Sequence, residues 1–408
     1  KAREPGFASG FCGIDTATGA VRQRADATQP ARDEPRPHDN ASSHGQATLP
    51  HEPNPLLAGY DRTIDPRKRT VGIPFVLMIH KFFPMANAFF TELGYNVLLS
   101  QPTNERIVKQ SQDLAQTEAC YPVKLVYGHM AQLAELGVDY LFLPAVYSMR
   151  NEHSAAAHCY GCVHLQTAGR AVFESLGLEQ QGVKLLNPTF DLERGKRGMA
   201  GAMVRMAVQL GHSRPQVMRA LAKGKAAMDR AQKARRSSAQ STLDALLPGE
   251  KAIVLITRPY GTNDPVLNMG IPHILRERGY RVITQSALPL ENVDLSRDYP
   301  DMCWPFGEHI IAAARIVAAN PRLFAIYLTN HGCGPDSMLS HLVKHELGNK
   351  PNLCVETDEH FSPVGLITRI EAFLRCIEAW SPADAQSRTL PAVPVIADRP
   401  ERAETVLL

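Results

Sequence analysis

The sequence predicts an α/β protein with two Rossmann-like domains, each a doubly wound, mainly parallel sheet, joined by a helical segment. The stretch "TVGIPFVLMIHKFFPMANAFFTELGYNVLLS" (70–100) runs from an apolar strand through an amphipathic helix and a glycine turn to a second strand. This order is typical of a parallel β-α-β unit. The stretch "KAIVLITRPYGTNDPVLNMGIPHILRERGYRVITQS" (251–286) repeats the layout, which indicates internal duplication.

The elements of the first unit follow from the apolar periodicity. We expect a strand over Val71–Met78, a helix around Pro84–Leu93 and a strand over Asn96–Ser100. A helix over Tyr121–Leu136 leads to the strand "YLFLPAV" (140–146), and another helix follows Cys162 before the short strand "VKLLNP" (183–188).

In the second unit, a helix around Glu308–Asn320 precedes the strand "LFAIYLTN" (323–330). A helix ending near Leu347, the strand "NLCVETD" (352–358) and a helix containing "TRIEAFLRCIEAW" (368–380) complete it. The predicted boundaries are a linker rich in Pro, Ala, Ser and His (1–68), a first α/β domain (69–190), a helical segment (191–247), a second α/β domain (248–382) and a tail (383–408).

Composition and charge limit the classes of partner. The chain has 44 Lys and Arg against 41 Asp and Glu, so we expect neither a nucleic-acid nor a membrane partner on charge alone. The basic stretch "RALAKGKAAMDRAQKARRSS" (219–238) has no interleaved aromatic residues and is typical of a solvated helix face. Eight cysteines in 408 residues are too few for a disulfide-stapled secreted protein, which favours a reducing cytoplasm.

Cysteines follow predicted strands at three separate places. Cys120 precedes a helix, Cys159 and Cys162 follow the strand "YLFLPAV", and Cys333 follows "LFAIYLTN". Ligand sites of doubly wound sheets lie beyond the carboxyl ends of the strands, so these cysteines are the candidates for chemistry. For the other four, we expect Cys354 and Cys376 in the core, place Cys12 in the linker and leave Cys303 undecided.

The local sequence around Cys120 and Cys333 indicates reactive or metal-binding thiols. Both precede helices, where the helix dipole lowers the pKa of a thiol. Gly332 and Gly334 let the backbone approach a bulky inorganic group and offer N–H donors, and Pro335 suits a first helical turn.

The Cys-Tyr-Gly-Cys motif (159–162) is ambiguous by itself. It is flanked by His153, His158 and His164, and its spacing fits a metal site, a redox pair or structural thiols. The additional cysteine loops favour a metal, and thiols from separate loops suit an iron–sulfur cluster better than a compact zinc site.

Six stretches of the chain resemble a known family. They are "VGIPFVLMIHKFFPMANAFFTELGYNVLLS", "EACYPVKLVYGHM", "TRPYGTNDPVLNMGIPHIL", "CWPFGEHI", "LFAIYLTNHGCGPDSM" and "ETDEHFSPVGLITRIEAFL", within residues 70 to 380. They resemble the region after the ATPase modules of large 2-hydroxyacyl-CoA dehydratase activase-like proteins. That region is similar to the dehydratase subunits, to benzoyl-CoA reductase cluster-binding subunits and to double-cubane cluster proteins.

The resemblance implies two Rossmann-like domains that hold a [4Fe-4S] or double-cubane iron–sulfur cluster. It also implies low-potential electrons from an ATP-hydrolysing activator module, on the same full-length chain or a separate one. The electron would pass to a dehydratase or reductase subunit or to a CoA thioester. In relatives, an electron passed to the thioester carbonyl forms a ketyl radical. Relatives pair their cluster subunits, which implies a homodimer.

The family's ligand cysteines are carried over by motif. The "CYP" cysteine matches Cys120, the "GCGPDS" cysteine matches Cys333, and "CVHLQ" makes Cys162 the middle ligand. Val163 replaces the usual proline, and Cys159 is an additional thiol, either a fourth ligand or a bystander. "GIDTATG" (13–19) is similar to a sugar-kinase-like phosphate motif, but its composition indicates a chance match.

Arg258, Tyr260 and Asp264 form a polar loop after a strand, where a cofactor, substrate or partner can bind; Asp264 is equally suited to a turn or helix cap.

The main hypothesis is an iron–sulfur electron-transfer module. One rival is a non-catalytic docking scaffold whose cysteines bind zinc or nothing. The other, a nucleotide-binding transferase, is disfavoured because no glycine-rich phosphate motif follows either opening strand.

Overall fold

The structure is a computed structural model that describes residues 54–149, 158–194, 196–360 and 362–381. These residues belong to one compact unit. The predictions for Cys12, for "GIDTATG", for most of the 1–68 linker, for His153 and for the 383–408 tail lie outside the described residues.

The first half is built on a four-stranded parallel sheet in the order β2-β1-β3-β5. Its register pairs Val71 with Val97 on one side and with Tyr140 on the other. A second parallel pair, β4 and β6, continues beyond β3 and β5. The strands are β1 (Thr70–Ile73), β2 (Asn96–Leu99), β3 (Tyr140–Phe142), β4 (Ala145–Ser148), β5 (Lys184–Leu186) and β6 (Thr189–Asp191).

Six helices accompany these strands among the described residues. They are α1 (Ile79–Glu92), α2 (Glu105–Leu114), α3 (Tyr121–Glu135), α4 (Val163–Ser175), α5 (Lys196–Gln209) and α6 (Arg214–Asp244). The long helix α6 packs along α1 and buries Val217, Ala220 and Leu221 in the first core. Arg219 and many of the other basic residues of α6 stay exposed, as expected for a solvated helix face.

Three details of the first half differ from the prediction. Strand β1 ends at Ile73 rather than Met78, because Pro74 has no N–H to continue the ladder, and α1 begins at Ile79 and contains Pro84. Pro144 likewise divides the strand predicted over 140–146 into β3 and β4. Helix α2 was not predicted because it buries only Ile107 and Ser111 and therefore has almost no apolar stripe.

The second half has a four-stranded parallel sheet in the order β10-β9-β7-β8. Alternate residues of β7 face opposite layers: Val254 contacts the layer of α9 and α10, and Ile253 the layer of α8 and α11. The elements are β7 (Ala252–Ile256), α7 (Pro259–Asn263), α8 (Ile271–Glu277), β8 (Arg281–Thr284), α9 (Pro305–Ala319), β9 (Leu323–Asn330), α10 (Gly334–Leu347), β10 (Asn352–Thr357) and α11 (Pro363–Ala379). The predicted fold class is confirmed: the protein is α/β, with doubly wound, mainly parallel sheets.

The two halves share an unusual backbone feature. Leu77 has φ +47° two residues before α1, and Met269 has φ +52° two residues before α8. A non-glycine residue in this left-handed region is rare and costs on the order of 1 kcal/mol. The same strained turn therefore leads into the first long helix of each half, as an internal duplication would produce.

The prediction that Cys354 and Cys376 are core residues is wrong. Both side chains are exposed. Strand β10 is an edge strand that alternates between its faces, so Val355 is buried and Cys354 faces outward. In α11 the buried stripe runs through Ile370, Phe373 and Ile377, and Cys376 lies outside it.

A buried chain of hydrogen bonds joins the two halves. Ser100 Oγ donates to His129 Nδ1 (2.7 Å), His129 Nε2 donates to Thr103 Oγ1 (3.0 Å), and Thr103 Oγ1 donates to an Asp264 carboxylate oxygen. Burial lowers the pKa of His129 to about 3, so its ring is neutral, with one donor and one acceptor nitrogen. Thr103 Oγ1 gives its one proton to Asp264, so it must accept from His129 Nε2, and Nδ1 then accepts from Ser100.

Near Phe324, two lysine side chains donate hydrogen bonds to backbone carbonyls at helix C-termini. Lys350 Nζ donates to the carbonyls of Val317 (2.6 Å) and Asn320 (2.5 Å) at the end of α9. Lys251 Nζ donates to the carbonyls of Ile377 (2.5 Å) and Trp380 (3.3 Å) at the end of α11. Burial lowers the pKa of Lys350 to about 7.

We predict that Lys350 makes folding stability rise with pH. Above pH 7 the native state releases the Lys350 proton, whereas the unfolded chain keeps it up to a pKa of about 10.4. From about pH 7 to pH 9, the unfolding free energy of the wild type should rise by about 2 kcal/mol more than that of Lys350→Met. Urea unfolding at several pH values measures this difference. Lys251→Met is the matched control and should keep the wild-type slope; an equal slope in Lys350→Met contradicts the prediction.

Candidate functional site

The three cysteines predicted as ligands occupy equivalent positions at the N-termini of three helices. Cys120 is the N-cap of α3, Cys162 of α4 and Cys333 of α10. Each has an extended backbone, and no side-chain hydrogen bond caps its helix. The thiols lie near the positive ends of three helix dipoles.

These three cysteines line one pocket at the junction of the two halves. The pocket has a cavity volume of about 40 Å³ and is partly open to solvent. Cys120 and Cys162 come from the first half and Cys333 from the second. The other described lining residues are Leu77, Val123, Met149, Tyr160, Gly161, His164, Leu165, Arg258, Tyr260, Trp304, Pro305, Phe306 and Pro335.

The two cysteines of the Cys-Tyr-Gly-Cys motif go to different places. Cys162 lines the pocket, whereas Cys159 is buried and is not among the described lining residues. The amide of Cys159 donates to a carboxylate oxygen of Glu193, and its carbonyl accepts from Met149 N (2.8 Å). Cys303 is partly buried and also lies outside the lining, although Trp304 beside it belongs to it.

A buried ion pair places a positive charge beside the thiols. The guanidinium of Arg258 contacts the Asp336 carboxylate, and Asp336 also accepts from Tyr327 Oη (3.1 Å). Burial raises the pKa of both Cys120 and Cys333; Arg258 opposes this rise, whereas Asp336 adds to it. Asp336 Oδ2 is buried without a hydrogen-bond partner in the described structure. The pair is thus oriented by the protein, with Arg258 lining the pocket.

The expectation of lowered thiol pKa values at Cys120 and Cys333 is wrong for this structure. Burial raises the pKa of Cys120 to about 11 and that of Cys333 to about 12. Desolvation of the charged form outweighs the opposing effects of Arg258 and of the helix amides. Without a bound cation, these two thiols are protonated at neutral pH.

The glycines of the site have different roles. Gly332 has φ +73°, and a Cβ at this position would lie 3.6 Å from the Cα of Cys120, across the junction. A Cβ at Gly334 would have no neighbour within 4 Å. A Cβ at Gly161 would overlap the carbonyl oxygen of Val146 in β4. Gly161 was missed in the sequence because nothing local shows that its backbone lies against a strand.

The polar residues that follow β7 lie in two different environments. Arg258 and Tyr260 line the pocket, and burial raises the pKa of Tyr260 well above its ordinary value. Asp264 does not line the pocket: its Oδ1 accepts from the amides of Val266 (2.9 Å) and Leu267 (3.0 Å). Asp264 thus caps a turn and anchors the hydrogen-bond chain between the halves, as the turn-and-cap alternative requires.

The potential metal ligands of the pocket are its cysteine thiols and one histidine. Among the described residues, no three His, Cys, Asp or Glu side chains are placed to hold one metal ion. A zinc ion needs all its ligands within about 2.3 Å of one point, whereas an iron–sulfur cluster takes thiolates at separate corners of a larger core. Three thiols line one pocket, and thiolates are the usual protein ligands of an iron–sulfur cluster.

Residues 70–288 match the family described as CoA enzyme activase uncharacterised domain, which is more than half of the 408 residues. The chain belongs to this family. The match includes Cys120, Cys162, Arg258 and Tyr260, and it ends before Cys333. Thus the activase-family region supplies most of the site, and the remaining thiol comes from the sequence that follows it. No match was found among curated proteins.

Several solved structures show a weak similarity to this activase-family chain. One is an FpvC mutant from Pseudomonas aeruginosa (12% identity, 76% of this chain and 99% of that chain, TM-score 0.23). Another is a zinc-bound ZnuA deletion mutant (12%, 76% and 98%, 0.24). A third is the laminin-binding protein Lmb of Streptococcus agalactiae (11%, 76% and 100%, 0.24). At these scores the similarity defines neither the fold nor a ligand.

Among the described residues, no helix is long and apolar enough to cross a membrane.

We predict that Gly161→Ala destabilises the protein and that Gly334→Ala does not. The added methyl at Gly161 would lie 2.4 Å from the Val146 carbonyl oxygen, and a strand backbone cannot move aside cheaply. Urea unfolding should show a loss of about 1–3 kcal/mol for Gly161→Ala. Gly334 is the first residue of α10 and has open space, so Gly334→Ala should stay within about 0.5 kcal/mol of wild type. Equal midpoints for the two variants would contradict the assigned packing.

Proposed function

We propose that this chain is an iron–sulfur electron-transfer module of the CoA enzyme activase domain family, with Cys120, Cys162 and Cys333 as thiolate ligands. One observation carries the proposal: three cysteines that are far apart in sequence, each at a helix N-terminus, line the same pocket. A [4Fe-4S] or double-cubane cluster would supply one-electron transfer at low potential when bound.

The residues around the thiols suit a negatively charged group. Helices α3, α4 and α10 begin at the three cysteines, and α9 begins at Pro305 in the pocket lining, so four helix N-termini surround the space. Arg258 adds a positive charge, which the contacting Asp336 carboxylate partly offsets. Trp304 and Phe306 cover part of the pocket with apolar surface, which excludes water and strengthens these electrostatic interactions.

The proposed partners follow from the family. An activase-type domain is expected to act with a dehydratase or reductase subunit, or directly on a CoA thioester, and to receive electrons from an ATP-hydrolysing activator module. The pocket is partly open to solvent beside Tyr160, which is 41% exposed, and Val163 next to Cys162 is 70% exposed. This apolar opening provides a route for an electron to or from a partner protein.

The rival function is a docking scaffold whose cysteines hold zinc or nothing. The raised pKa values of Cys120 and Cys333 are compatible with inert structural thiols in the empty protein. Against a zinc site, the described residues provide no set of three ligands for one ion. Metal content separates the two functions.

We predict that anaerobic reconstitution with iron and sulfide gives a brown protein with about four irons per chain, or about eight for a double cubane. Iron, acid-labile sulfide, zinc and the visible spectrum are measured together. Cys120→Ala, Cys162→Ala and Cys333→Ala should each lose most of the iron, because each removes a thiolate ligand. Cys376→Ala is the matched control, since Cys376 is exposed on α11, and it should bind iron like the wild type.

Two results would overturn the electron-transfer proposal. A folded wild type that takes up no iron under these conditions would favour the scaffold with structural thiols. Stoichiometric zinc that resists replacement by iron would favour the scaffold with a zinc site. Circular dichroism of each variant separates loss of a ligand from loss of the fold.

A further inference from the structure

The pocket at the junction is closed around very little space. Its cavity volume is about 40 Å³, which has room for no more than a few water molecules. Pockets that hold small organic ligands have volumes of about 300–1,000 Å³, so part of the wall must move before a larger group enters. We propose that residues 296–304 form a movable strap over the pocket, latched shut through Tyr299, Arg315 and Glu346. The proposal concerns entry and holds for any group that binds there.

The strap lies between two buried positions and ends at the pocket. Leu295 and Pro305 are buried, whereas every residue from 296 to 304 is at least partly exposed. Trp304, the last residue of the strap, lines the pocket. The whole connection from β8 to α9, residues 285–304, contains two short 3-10 turns and is otherwise irregular. Irregular connections of this length are uncommon in compact domains and are usually functional.

A cluster of polar side chains fastens the middle of the strap to α9 and α10. Tyr299 Oη donates to Glu346 Oε1 (2.6 Å). Arg315 donates to both carboxylate oxygens of Glu346 (2.9 and 2.8 Å), and its Nη2 also lies 2.8 Å from Asp298 Oδ2. The bidentate pair joins the two helices and fixes the carboxylate. The contacts of Tyr299 and Asp298 are therefore the ones that break when the strap opens.

The opposite wall of the pocket is fastened more firmly, through its backbone. Gly161 N donates to the carbonyl of Tyr147 in β4 (2.9 Å), and Met149 N donates to the carbonyl of Cys159 (2.8 Å). These bonds join the segment that carries Tyr160 and Gly161 to a strand. The strap is instead latched through side chains, so it is the wall that moves at the lower cost in free energy.

The test measures access to Cys120 in the full chain without bound metal. Cys120 is 7% exposed in the pocket, and Cys159 is 4% exposed outside the described lining. Modification of each cysteine by N-ethylmaleimide is followed by mass spectrometry, and the rate in urea divided by the rate in the folded protein gives a protection factor. Tyr299→Phe removes a hydrogen bond to a charged acceptor, so it should lower the protection of Cys120 about ten-fold and leave that of Cys159 unchanged.

Tyr280→Phe is the matched control. Tyr280 Oη also donates to a carboxylate, that of Glu378 on α11 (3.3 Å), and neither residue belongs to the strap or to the described pocket lining. This variant should keep the wild-type protection of both cysteines. Urea unfolding of each variant shows whether the fold itself has been weakened.

The fluorescence of Trp304 reports on the strap directly. The chain has two tryptophans, so Trp380→Phe leaves Trp304 as the single tryptophan. Acrylamide should quench this fluorescence more strongly when Tyr299→Phe is added, because the strap then opens more often. The cysteine measurement does not need the Trp380→Phe background and stands if that variant fails to fold.

Three results would overturn the proposal. In the first, Cys120 of the folded wild type reacts as fast as in the unfolded chain, so that nothing covers it. In the second, Tyr299→Phe leaves the protection of Cys120 at the wild-type value. In the third, Cys159 loses as much protection as Cys120, or Tyr280→Phe has the same effect as Tyr299→Phe, which would show a general loosening of the fold.

Discussion

The site depends on the insertion of the α3 N-terminus into the junction between the two halves. Lys124, one turn after Cys120, donates to Glu359 beyond β10 (2.6 Å), and both side chains are mostly buried. Gly332 lies against the backbone of Cys120 from the opposite side. The chain of hydrogen bonds ending at Asp264 fixes the same junction further from the pocket. Without these contacts, Cys120 and Cys333 would belong to separate domains.

Opposing electrostatic effects meet in the pocket. Burial favours neutral thiols, as the raised pKa values of Cys120 and Cys333 show, whereas four helix N-termini and Arg258 favour negative charge. A buried ion pair such as Arg258 and Asp336 contributes little net stability, because desolvation opposes the attraction. Its position is better explained by the charge that it presents to the pocket.

The sequence was most informative where the signals are local. The strand Leu323–Asn330 is fully buried, and its unbroken apolar run predicted its bounds and the Cys333 loop. Helix α2 and the outward-facing Cys354 could not be predicted, because the first has no apolar stripe and the second depends on β10 lying at a sheet edge. Local sequence signals do not show that three cysteines line one pocket, because this depends on tertiary packing. Motif spacing left Cys159 as either a fourth ligand or a bystander, and in the structure Cys162 lines the pocket while Cys159 is not among the described lining residues.

The junction has a further property that bears on function. Its hydrogen-bond chain passes through His129, whose pKa of about 3 keeps the ring neutral throughout the physiological range. The tautomer is fixed by Asp264, because Thr103 donates to its carboxylate and must accept from His129 Nε2. A change in stability or function near neutral pH would therefore not arise from protonation of His129, whereas Lys350 has a pKa of about 7.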